Sequence, residues 1–109
     1  MASSELQQGT LDLLILKTLA QAPLHGCGIS RHIRETSREV LQVQQGSLYP
    51  ALYRLEDKGL ITAEWGISPE GRRARFYRLT AAGRRRLTEE TDAWKTWTTA
   101  VNLVLKATY

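Results

Sequence analysis

Apolar positions along the chain fall into five groups with different periods. Leu11, Leu13, Leu14, Ile15, Leu16 and Leu19 cluster within residues 10–22 and predict a helix that is apolar on several sides, the kind that sits centrally in a core or at a subunit interface. Thr10 is placed as its N-cap, Asp12 falls in its first turn, and Ala22-Pro23-Leu24-His25-Gly26 ends it and turns the chain. A second helix is expected from Gly28 to Thr36, burying Ile29 and Ile33 and exposing Arg31, Arg34 and Glu35. Leu48, Leu52 and Leu55 then repeat at i, i+4 and i+7 and form the buried stripe of a third helix. Ser47 is expected as its N-cap, which puts Pro50 in the first turn where the missing N–H costs nothing, and Lys58-Gly59 closes it.

The period then changes to two. Ile61, Ala63 and Trp65 alternate with Thr62 and Glu64, which predicts a half-buried strand. Gly66 to Gly71, with Pro69 inside, is the turn of a hairpin, and Arg75 to Leu79 returns with Tyr77 and Leu79 on one face. Thr80 caps a last helix over 81–107, about 40 Å long at 1.5 Å per residue and too long for so small a domain to cover. Leu87, Trp94 and Val101 recur every seven residues along it, Trp97 and Val104 fill the complementary positions, and Glu90 interrupts them. Such a seam calls for a second chain, with Leu14 of the first helix at the same interface. The fold expected is mainly α with a small β-hairpin, divided into a unit over 1–80 and a dimerising helix over 81–109.

A length of 109 residues allows one domain, or one domain with an appended helix. No run approaches a membrane span, the N-terminus lacks a signal-peptide core, and the single cysteine, Cys27, fits a reducing cytoplasm. The net charge of +4 is unevenly placed: residues 26–86 carry twelve Lys/Arg against six Asp/Glu, and each flank is net acidic by one. An anionic partner would dock on the middle segment. His25, Cys27 and His32 lack the spacing of a zinc site, so no metal is expected. With no nucleophile–base pair, phosphate loop or carboxylate dyad in the sequence, an enzyme is not expected, and no cofactor is implied.

The outer face of the third helix carries Ser47, Tyr49, Pro50, Tyr53 and Arg54, with Gln44 and Gln45 just before it. Hydroxyls, amides and a guanidinium at a helix N-terminus suit phosphates and groove edges. Arg72, Arg73 and Arg75 add three guanidinium groups around the hairpin turn, suited to phosphate or minor-groove contact. Arg84, Arg85 and Arg86 point in three directions, and one of them could pair with Glu89 or Glu90.

The run Ser47-Leu48-Tyr49-Pro50-Ala51-Leu52-Tyr53-Arg54-Leu55-Glu56, followed by Arg72-Arg73-Ala74-Arg75-Phe76-Tyr77-Arg78-Leu79-Thr80, resembles the PadR family of bacterial winged-helix transcriptional regulators, in its compact subfamily with one C-terminal helix. The resemblance implies a winged helix-turn-helix that binds double-stranded DNA as a homodimer. It also implies repression at a palindromic operator and release by an effector. The family usually has a tyrosine where Cys27 stands, so no role of that tyrosine is transferred. In family members that sense drugs or phenolics, a tryptophan matching Trp94 lines a pocket between subunits. Trp94, with Trp97, is therefore a candidate site for a planar aromatic or phenolic effector, besides packing in the dimer seam. The alternative from another class is a winged-helix module that binds protein or sequesters a ligand without reading DNA. The three wing arginines separate the two, because a protein-binding wing does not need them together.

Overall fold

The computed structural model describes residues 6–108, so the first five residues read for a signal-peptide core lie outside it. Four helices and three short strands follow the order α1 (Gln8–Leu19), β1 (Leu24–His25), α2 (Gly26–Thr36), α3 (Gln45–Asp57), β2 (Ile61–Ile67), β3 (Arg73–Leu79) and α4 (Ala81–Lys106). The strands form one antiparallel sheet in the order β1-β3-β2. Three helices with a sheet-forming hairpin behind the third are the winged-helix arrangement, and α4 extends it.

The core forms where the apolar stripes of the first three helices meet the sheet. Leu11, Ile15, Leu16 and Leu19 of α1 pack with Ile29 and Ile33 of α2 and with Leu48, Leu52 and Leu55 of α3. Ile61, Tyr77 and Leu79 close the cluster from the sheet. α1 is not uniformly covered, because Leu13 and Leu14 stay half-buried on the side turned to α4.

Several boundaries differ from the sequence reading. α1 begins at Gln8, before Thr10, and its N-cap Gln7 makes no side-chain bond. Asp12 consequently lies beyond the first turn and is engaged elsewhere, by Arg54. α2 begins at Gly26, and the turn expected at 22–26 contains β1, which pairs Leu24 with Tyr77 and His25 with Phe76. α3 begins at Gln45 with Gln44 as its N-cap, so Ser47 is the third helical residue and caps nothing. Pro50 therefore sits inside α3, where it cannot donate to the Gly46 carbonyl four residues back. That carbonyl belongs to an exposed residue, which leaves water free to reach it.

The last junction is as expected. Thr80 caps α4, its Oγ1 accepting from the Gly83 N–H at 3.0 Å and donating to the Gly59 carbonyl at 2.7 Å. α4 then runs past the core: Gly83 is its only buried residue, and Leu103, Val104 and Leu105 near its end are two-thirds or more exposed.

Candidate nucleic-acid interface

The hairpin and α3 flank a cleft of about 660 Å³, with the start of α2 at one end. From α3 it receives Tyr49 and Tyr53, one helical turn apart on the same face. From the hairpin it receives Arg72, Arg73 and Arg75. Five of the ten residues singled out for DNA contact thus meet on one concave surface. Gln44, Gln45, Ser47 and Pro50 lie outside the cleft, exposed along the first turns of α3, while Arg54 lies on another flank.

The environments of these side chains differ. Tyr53 is 61 % exposed and directs its ring to solvent. Tyr49 is half-buried and packs over Gly26, where a Cβ would lie 2.6 Å from its hydroxyl oxygen. Gly26 is thus the position that lets α3 approach the start of α2. Burial raises the phenol pKa of Tyr49 above the usual tyrosine value, and nearby Cys27 and Tyr53 add to the shift. Tyr49 stays a neutral O–H donor, the form that suits a phosphate oxygen.

Arg54 is not a free cation. Its Nη2 donates to Asp12 Oδ1 at 3.0 Å and ties α3 to α1. Arg75 is similarly held by Glu56 at 3.0 Å, which ties the hairpin to α3. Arg31 and Glu70 approach within 4.0 Å between α2 and the hairpin turn. Among the described residues neither Arg72 nor Arg73 is in an ion pair with a carboxylate, so these two carry the uncompensated charge of the hairpin. Arg73 and Arg75 stand in β3 itself, with Arg72 immediately before the strand. Arg86 pairs loosely with Glu89 at 3.8 Å, the local pairing open to this arginine run.

The cleft also contains residues that the sequence reading did not assign to it: His25, Gly26, Cys27, Trp65 and Tyr77. Alternation in the sequence places Trp65 on a half-buried strand face, but it is 60 % exposed because the core ends near Ala63. Its position in the cleft follows from strand alternation, since it pairs with Arg75 in register and shares that residue's face.

A second groove, of about 690 Å³, runs between α1 and α4 and is lined by Leu13, Leu14, Lys17, Leu87, Asp92 and Trp94, among others. Trp94 and Trp97 lie against each other with ring centroids 5.5 Å apart, and both rings are substantially exposed. The seam read from the sequence is thus an open face in the single chain. Among the described residues no helix is long and apolar enough to cross a membrane.

Comparison with known proteins agrees with this architecture. Residues 15–89 match the model of the transcriptional regulator PadR-like family. The transcriptional regulator Rv3488 of Mycobacterium tuberculosis is 40% identical over 89 residues, covering 82% of this chain and 79% of that protein. Among solved structures, a transcriptional regulator from Clostridium thermocellum superposes with a TM-score of 0.83 at 28% identity, covering 91% of this chain and 96% of that one. A PadR-like transcriptional regulator from Bacillus cereus does so with a TM-score of 0.79 at 28% identity, covering 93% and 96%.

Proposed function

Because the chain belongs to the PadR-like family of transcriptional regulators, we propose that it acts by binding duplex DNA as a homodimer, with α3 in the major groove and the β2–β3 hairpin as the wing. The observation that carries this reading is the meeting of Tyr49 and Tyr53 with Arg72 and Arg73 across one cleft. The strand that separates a major from a minor groove fits between a recognition helix and a wing. Gln44, Gln45, Ser47 and Pro50 extend the contact along the exposed start of α3. Arg54 and Arg75 act mainly as positioning residues, through Asp12 and Glu56.

In this reading residues 1–80 form the DNA-binding unit and residues 81–109 the dimerising unit, which acts through α4. The dimer occupies a palindromic operator in the cytoplasm and represses, with no chemistry of its own. Two half-sites supply the affinity and spacing that one protomer lacks. An effector seated at Trp94 and Trp97 changes operator affinity only if it binds the two dimer geometries unequally. A planar aromatic or phenolic compound suits those rings.

A mobility shift with the DNA upstream of its own gene tests the reading. If about 8 phosphates are neutralised, log K against log salt slopes about −7. Arg73→Ala weakens binding to every sequence, whereas Tyr53→Ala also alters sequence preference. Salt-independent binding, or none, overturns the proposal.

A further inference from the structure

Strand β2 carries its core-facing side past the end of the core. Ile61 is buried and Ala63 half-buried, but Trp65 and Ile67, next on the same face, are 60 % and 68 % exposed. Opposite them in β3 stand Arg75 and Arg73, with Tyr77 opposite Ala63, so this face of the hairpin joins an apolar strip to a row of guanidinium groups. The Arg73 guanidinium lies over the Trp65 ring, 4.3 Å from its centroid, and both line the cleft beside Tyr53. Glu56 neutralises Arg75, while Arg73 has no carboxylate partner among the described residues.

A large apolar side chain held out in water beside an unpaired cation suits a partner of definite chemistry. That partner must offer an apolar surface and an anion a few ångströms apart. A nucleic-acid strand does so at every nucleotide, with a deoxyribose face next to a phosphate. Stacking on the indole also fixes the direction of the Arg73 guanidinium, so less freedom is lost when it meets the phosphate.

We propose that Trp65 and Arg73 form one composite contact on the wing, the indole lying against a deoxyribose of the strand in the cleft and the guanidinium on an adjoining phosphate. The inference rests on the DNA-binding reading and adds to it a residue expected from the sequence to be partly core. Its apolar half predicts a component of binding that salt does not screen, which separates it from the arginine contacts.

The test compares the full chain with Trp65→Ala, Trp65→Phe and Arg73→Ala. Binding is measured by anisotropy on two labelled duplexes of equal length, the DNA upstream of its own gene and a random sequence, between roughly 50 and 300 mM salt. Trp65→Ala should weaken both complexes roughly ten-fold, with a parallel shift of the log–log line. Trp65→Phe should recover most of the loss. Arg73→Ala should reduce the steepness of the line by about 0.9, the signature of one lost phosphate contact. The thermal midpoint of Trp65→Ala should stay at the parent value, since its ring is mostly in solvent. Failure of the parent chain to bind either duplex would overturn the DNA-binding reading itself. A parent that binds while Trp65→Ala binds equally well overturns this inference alone. A change of slope with Trp65→Ala would mean that the indole only positions Arg73, and a change in light-scattering mass would assign the face to contact between copies; either result overturns the direct contact.

Discussion

Arg54 and Asp12 show how one side chain can be diverted from the role its position suggests. Arg54 lies on the outer half of α3 in a helical projection, yet it reaches α1 and donates to Asp12 at 3.0 Å. Burial raises the Asp12 carboxyl pKa above its ordinary value of 3.8 although Arg54 opposes the shift, so desolvation outweighs the attraction of the pair. For an acid, a raised folded-state pKa means that the folded protein binds the proton more tightly than the unfolded chain. Stability from this group is therefore fully present below 3.8 and is lost as pH rises through the raised folded value. Asp12→Asn is accordingly expected to unfold in urea at neutral pH with nearly the parent midpoint. Arg54→Met leaves a half-buried carboxylate without its counter-charge and should lose about 1–2 kcal/mol, part of the cost being screened by solvent. That deficit should shrink as the pH approaches 4 and Asp12 protonates; equal losses in the two variants would show the pair to be stabilising in its own right. A contact spanning 42 residues of sequence cannot be read from helix periodicity. The Thr80 cap could be, because the hydroxyl residue, the helix start and the Gly83 N–H lie within three positions of one another.

At the level of elements, the junction of hairpin and α4 brings backbone against backbone. Thr80 donates its N–H to the Leu60 carbonyl at 3.1 Å, and a methyl group on Gly83 would collide with that same carbonyl oxygen. Gly83→Ala should therefore destabilise by about 1–3 kcal/mol through overpacking, against the roughly 1 kcal/mol that alanine normally gains in a helix. Gly9→Ala is the control, since open space surrounds that position in α1, and it should leave the urea midpoint unchanged or raise it. Equal responses at the two sites would show that α4 can move away from the sheet. The four helices and the hairpin were legible because their apolar stripes repeat at distinct periods. β1 was not, since two residues, Leu24 and His25, carry no alternation and become a strand only by pairing with β3. The exposure of Trp65 escapes the sequence for a related reason: alternation gives the face of a strand but not where the core beneath it stops.

At the scale of the whole molecule, the exposed seam of α4 governs what remains. The chain measures 57 × 33 × 21 Å, and Val104 at 72 % and Trp97 at 60 % exposure are left largely uncovered within it. The proposed dimer covers them, so light scattering at micromolar concentration should give a mass of two chains, and deletion after Thr88 should give one. The same seam borders the groove that Trp94 lines together with Leu13, Leu14 and Leu87. A planar cation placed there would stack on the indole and be attracted by Asp92 while Lys17 repels it, with cation–π attraction adding about 0.5–2 kcal/mol. Such a compound should quench part of the fluorescence of the three tryptophans and lower affinity for the DNA upstream of the gene. Trp94→Ala separates the two roles of this residue. If Trp94 serves the effector, the variant keeps the dimer mass and DNA affinity but loses the quenching. If it serves the seam, the variant dissociates or unfolds with or without a compound present. Trp97 packs against Trp94 and shares the proposed effector contact, so Trp97→Ala should weaken association and, at concentrations that restore the dimer, still reduce the quenching. A set of planar dyes and phenolic acids that leaves the emission unchanged would remove the effector from the proposal and leave Trp94 as a packing residue between protomers.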